Sequence, residues 1–141
     1  MPSPCLRPAT YADLPRVTIV RHATAENRLS DPSRVSEAEV IWYVDEAIFL
    51  VSEDDEGIQG FVCANPQTGL LWALFVIDDK HGRGHGSALH EAALIRLREA
   101  GHRQAFLTTG RGTKAEAFYK ARGWHSTGMD RGGEVVLRCF L

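Results

Sequence analysis

The chain has little of what marks a membrane, secreted or metal-clustered protein. Its longest apolar run, Leu70 to Ile77, falls far short of the roughly 20 residues that a membrane-spanning helix needs. Cysteine is scarce: Cys5, Cys63 and Cys139 are scattered, odd in number and without a Cys-x-x-Cys pair. That usage argues against a disulfide framework or a zinc cluster and suits reduced thiols. The opening Met-Pro-Ser-Pro-Cys-Leu-Arg-Pro has no basic stretch followed by an apolar one. No secretory leader is read there, and a cytoplasmic location is expected. Net charge is only −2, which does not suggest a nucleic-acid partner. No repeat, low-complexity tract or Pro/Gly/Ser-rich linker divides the 141 residues, so one domain over 1–141 is expected. A chain of that size buries about two-thirds of its unfolded surface.

The charge that is present is unevenly placed. Residues 1–79 hold five Lys/Arg against thirteen Asp/Glu, and residues 80–141 hold eleven against five. A basic C-terminal half suits attraction of a polyanionic small molecule, although an asymmetric solvated surface explains it as simply.

Hydrophobic spacing sets the elements. Residues 5–8 suit a short first strand, and Leu14, Val17, Val20 and Ala23 recur at helical spacing from Ala12 to about Asn27. Ser36-Glu37-Ala38-Glu39 is a capping box that starts a second helix, reaching about Glu46. Two strands, 47–52 and 58–64, flank an acidic turn. Leu70 to Ile77 is apolar at every position, which predicts a central strand covered on both faces. A helix over 86–100 ends at Gly101, and a strand follows over 104–109. Thr113-Lys114-Ala115-Glu116 reads as another capping box, opening a short helix to Gly123. Residues 124–129 and 134–140 close the chain as a hairpin. The order β-α-α-β-β-β-α-β-α-β-β predicts an α/β (mixed α+β) fold, a mixed central sheet with helices on both faces.

The stretch that carries chemistry is Leu74 to Leu94. A buried strand passes through a turn containing Gly82, Gly84 and Gly86 straight into a helix. Glycines let a ligand approach the backbone closely, and a helix start offers unpaired N–H groups and a positive dipole end. Phosphate is the usual guest of such a site. The turn ends Gly-His-Gly-Ser, not the Gly-Lys-Ser/Thr of a Walker A loop. Its G-x-G-x-G spacing after a mid-chain hairpin does not suit a dinucleotide fold either. A merely tight turn would usually need one glycine.

These residues resemble the GNAT superfamily of acetyl-CoA-dependent N-acetyltransferases. Leu74-Phe75-Val76 is similar to the family's strand pattern, and His81-Gly82-Arg83-Gly84-His85-Gly86 to its turn. His81 replaces the more usual Arg or Gln, and Asp78 stands where proline is frequent. Downstream, Ala115, Tyr119, Gly123 and Trp124 fall in register with the family's later motif, with Gly112 where an asparagine is often found. The resemblance implies a GNAT-like fold and direct attack of a primary amine on acetyl-CoA in a ternary complex. It implies a backbone amide near Phe75 or Val76 on the thioester carbonyl, with Tyr119 as general acid to the departing thiolate. Leu74, Phe75, Val76, His81, Gly82, Arg83, Gly84, His85, Gly86, Ser87, Ala115 and Tyr119 are the cofactor-binding residues it implies. Dimers are common in the family, so it also implies a homodimer.

The acceptor, a small-molecule or peptide amine, is not identified by the sequence. Arg21 and Arg28 extend the stripe of Leu14 and Val17 on the first helix and are the candidates to read an anionic group on it. For the general base, Asp78, Glu46, Glu26 and His22 are candidates. No metal is expected, because His81 and His85 flank a turn suited to anions. A non-catalytic acyl-CoA-binding sensor with the same fold is the alternative reading.

Overall fold

The computed structural model describes residues 4–23, 36–77 and 82–141. Twelve segments follow in order. They are β1 (Cys5–Pro8), a 3-10 turn (Tyr11–Asp13), α1 (Leu14–Ala23), α2 (Glu37–Glu46), β2 (Ile48–Asp54) and β3 (Gly57–Asn65). After them come β4 (Leu70–Val76), α3 (His85–Glu99), β5 (Gln104–Thr109), α4 (Lys114–Lys120), β6 (His125–Met129) and β7 (Val135–Phe140). The strands form one mixed sheet in the order β1-β2-β3-β4-β5-β7-β6. All neighbours are antiparallel except β4 and β5. The expected order of elements and fold class are both observed.

Local chemistry explains most boundaries. Ser36 accepts from the Glu39 amide at 3.1 Å while Glu39 Oε1 accepts from the Ser36 amide at 3.3 Å, so α2 begins on a complete capping box. Thr113 likewise caps α4, accepting from the Glu116 amide at 3.2 Å. The Glu116 carboxylate, however, accepts from the Gly112 amide at 2.9 Å and not from Thr113. At the first helix, a 3-10 turn precedes Leu14, where a continuous helix from Ala12 was expected. Thr10 N donates to Asp13 Oδ2 at 2.8 Å, and Arg7 grips both Asp13 oxygens at 2.8 and 2.9 Å, tying β1 to the helix start. That pair holds the Asp13 carboxyl down at about 2. The expected end of this helix, at Asn27, lies outside the described residues.

Two apolar layers sandwich the sheet. Leu50, Val62, Leu71, Val76 and Leu107 pack with Leu89, Ala93 and Leu97 of α3 and with Tyr119 of α4. Phe49, Val51, Phe61 and Cys63 pack with Val17 and Val20 of α1 and with Tyr43 of α2. Period-two alternation sorts Phe49 to Val51 of β2 and Phe61 to Ala64 of β3 between the layers. It breaks in β4, because Cys63 pairs with Ala73 and Ala64 with Leu71, leaving Trp72 as an extra residue in a bulge. Trp72 and Ala73 therefore join the same layer.

β4 is central, as its apolar run predicted, but only Leu71 and Val76 are buried in it. The cause is its partner: β4 and β5 share a single residue pair, Leu70↔Phe106, and then part. The next strand over constrains it tightly. A Cβ at Gly60 of β3 would lie 2.9 Å from the Phe75 carbonyl oxygen and 3.1 Å from Leu89 Cδ1. Gly60→Ala is therefore expected to lose about 1–3 kcal/mol, the usual cost of overpacking. Urea denaturation at unchanged slope measures it, and a neutral substitution would show that β4 shifts freely.

Candidate active site

The parting of β4 from β5 opens a cleft of about 810 Å³. Its floor is the exposed edge of β4. Ile77 donates its amide to Gln59 O at 2.9 Å, on the β3 side. Amides alternate edges along a strand, so those of Leu74 and Val76 are turned towards β5, into the opening. Leu74, Phe75 and Val76 all line the cleft.

At one end stands the glycine turn. Gly82 and Gly84 have left-handed backbones, with φ of +82° and +89°. Among the described residues, nothing lies within 4 Å of a Cβ built at Gly82, and the nearest atom at Gly84 is Pro4 Cγ, 3.8 Å away. Gly84 is the residue before α3, and the first helical bond runs from Ala88 N to Gly84 O at 3.0 Å. The amides of His85, Gly86 and Ser87 thus precede the helical ladder and form its donor-bearing end. Gly82, Gly84, Gly86 and Ser87 line the cleft. Open cradle, left-handed glycines and helix start together fit a phosphate-bearing cofactor.

Not every residue of the turn behaves alike. Arg83 is exposed. The His85 ring is 2% exposed and points away, its Nδ1 2.6 Å from Ser52 Oγ and its Nε2 3.5 Å from Asp54. Gln59 continues the chain, donating to Asp54 at 3.1 Å and accepting from Arg16 at 3.2 Å. The His85 side chain therefore fixes the start of α3 to β2. His81 lies outside the described residues.

The opposite wall comes from α4. Tyr119 is buried and lines the cleft together with Ala115. Burial pushes its phenol above the usual range, only partly offset by Arg122. Among the described residues its hydroxyl has no hydrogen-bond partner. Its ring is held edge-on by Phe118 and Trp124, with centroids at 5.3 and 5.4 Å.

Sequence reasoning missed Arg122, although it sits inside the Ala115–Trp124 motif. Its guanidinium lies 3.5 Å over the Phe118 ring and donates to Phe118 O at 3.0 Å and to Ser87 Oγ at 2.9 Å. It thereby bridges the end of α4 to the start of α3. The four-residue spacing from Phe118 was the available signal.

The remaining half of the cleft lies against α1, α2, β2 and β3, and Arg21 lines it. Arg28 falls outside the described residues, as do the base candidates Asp78 and Glu26. Glu46 and His22 are exposed and do not line the cleft. The carboxylate found in its wall among the described residues is Glu134, immediately before β7.

The parted β4 and β5, the glycine turn and the buried Tyr119 phenol all border one cleft. The chain belongs to the acetyltransferase (GNAT) family, whose model matches residues 17–124. Its fold is similar to that of a GCN5-related N-acetyltransferase from Rhodopseudomonas palustris, with a TM-score of 0.82, 19% identity and coverage of 100% of this chain and 98% of that one. The PaiA N-acetyltransferase of Thermoplasma acidophilum, solved in complex with coenzyme A, gives 0.78 at 16% identity over 99% and 100%. YncA of Salmonella typhimurium, a putative acetyltransferase solved with acetyl-CoA, gives 0.76 at 18% identity over 99% and 95%. No curated protein sequence matches the chain. No helix among the described residues is long and apolar enough to cross a membrane.

Proposed function

We propose that this protein, as one domain over residues 1–141, transfers an acetyl group from acetyl-CoA to a primary amine by direct attack in a ternary complex. The observation that carries the reading is the opening between β4 and β5, with Tyr119 on one wall and the glycine turn at its end. The amides of residues 82–87 hold the pyrophosphate, and Leu74 to Val76 align the pantetheine arm along the β4 edge. Acetyl-CoA supplies the activated thioester. The Val76 amide, fixed by the strand, donates to the thioester oxygen as charge builds there. The amine nitrogen bonds to the carbonyl carbon, the carbon–sulfur bond breaks, and Tyr119 gives its proton to the sulfur. The amine's own surplus proton leaves to solvent and Tyr119 regains one from solvent, so an amide, a free thiol and the neutral phenol result.

Gly84→Val tests the cofactor site. The left-handed backbone at Gly84 disfavours a branched residue, and the new side chain would occupy the open cradle. Acetyl-CoA affinity is expected to fall tenfold or more by calorimetry, with helical content checked by circular dichroism. A loss below threefold, under about 0.7 kcal/mol, would remove the turn from the phosphate site. Thiol release from acetyl-CoA in the presence of amines separates the transferase from a sensor, which would bind and release none.

A further inference from the structure

The acceptor half of the cleft is walled by Val17 and Val40 from the helices and by Phe49, Phe61, Trp72 and Phe75 from the sheet. Four aromatic rings there suit an apolar body of comparable size and offer little to a hydrated polar chain. One cation interrupts this surface. Arg21 is half-buried, and its enclosed Nε has no hydrogen-bond partner among the described residues. Its one recorded side-chain contact is from Nη2 to His22 Nε2, at 3.4 Å. Arg21 makes no ion pair with a described residue. A buried donor left without an acceptor is costly, and a guanidinium against apolar walls attracts an anion more strongly than one in water. Its planar fork matches a carboxylate.

The wall also speaks against polycationic amines. Such acceptors need several carboxylates, and Glu134 is the only acidic residue lining the cleft among the described residues.

We infer that the acceptor is an amine bearing both a carboxylate and an apolar or aromatic side group, with Arg21 binding the carboxylate and the aromatic wall taking the side group. An α-amino acid with a large apolar side chain is the simplest member of this class. The inference rests on the acetyltransferase reading above and adds the substrate class to it.

The test compares kcat/KM for phenylalanine, leucine, phenylalaninamide, phenethylamine and spermidine, followed by thiol release. The free amino acids are expected to exceed the amide and the simple amine by at least tenfold and spermidine by more. Arg21→Met should erase the preference for the acid, lowering kcat/KM for phenylalanine at least tenfold more than for phenylalaninamide. Arg21→Lys, which keeps the charge without the fork, should restore part of it. A binding readout accompanies the rates. With coenzyme A present, N-acetylphenylalanine should raise the thermal midpoint more than its amide does, and Arg21→Met should remove that difference. If Arg21→Met does not fold, the wild-type panel and Arg21→Lys decide. Equal use of acid and amide, superior use of spermidine, or an equal loss on all acceptors overturns the inference. If other amines in the panel are acetylated but no carboxylate-bearing one is, the acceptor class is wrong while the transferase reading stands. Absence of acetyl-CoA binding removes that reading and the inference with it.

Discussion

Tyr119→Phe is expected to leave folding and acetyl-CoA affinity unchanged while slowing the chemical step by roughly 10²- to 10⁴-fold. The two halves of that expectation come from different parts of the side chain. The ring is what the fold uses, packed against Phe118, Trp124 and His90 with centroids at 5.3, 5.4 and 6.2 Å, and phenylalanine keeps it. The hydroxyl has no partner among the described residues, so removing it orphans no described group there. Its role is confined to the proton it carries. Burial raises the phenol's pKa from an already alkaline value, so the donor stays protonated across the neutral range and beyond. Turnover should accordingly show no loss attributable to this group as pH rises from 7 to 9.5. Single-turnover acetyl transfer is the measurement, because slow product release would mask a change in chemistry. An unchanged single-turnover rate would mean that water or another residue protonates the thiolate.

Why the elements around Tyr119 were legible while the cleft they border was not follows from the range of the interactions involved. Helix starts are local. Ser36 with Glu39 fixed α2, and Thr113 fixed α4, from contacts within four residues. The left-handed glycines at 82 and 84 are local too, and so is the helix end they open. The cleft itself is not local. Nothing in the eight apolar residues from Leu70 to Ile77 tells that β5 leaves β4 after one pair, so the run read as fully buried although five of the seven β4 residues are only half-buried. The bulge at Trp72 is equally hidden, since every residue around it is apolar and alternation cannot register a slip. The His85 ring illustrates a third limit. A histidine in a glycine turn reads as ligand-facing, but the first residue of α3 turns inward to Ser52, a contact 33 positions away. Arg122 was hidden by its own motif, whose recognisable positions are Ala115, Tyr119, Gly123 and Trp124.

Stability should fall as pH drops from 6.5 to 4, and His90 is the group that sets this window. His90 lies on the buried face of α3, 7% exposed, between Phe118, Tyr119 and Trp124. Its Nε2 accepts from Trp124 Nε1 at 2.9 Å, so the ring is held neutral with its proton on Nδ1. Burial first, and Arg122 second, bring its pKa down from 6.5 to about 4. Between those values the unfolded chain binds a proton that the folded chain refuses, so acid favours unfolding. The contribution is complete above pH 6.5 and lost as pH falls through 4, at most about 3 kcal/mol over the interval. Asp13, held at about 2 by Arg7, loses its own contribution only at lower pH and leaves this window clear. His90→Gln keeps an acceptor for the Trp124 N–H and removes the titrating ring. Its urea midpoints at pH 7, 5.5 and 4.5 should therefore form a flatter line than those of the wild type, with the two proteins converging as pH falls. Parallel lines would show that His90 takes up its proton inside the folded protein as readily as outside, and the acid sensitivity would belong elsewhere.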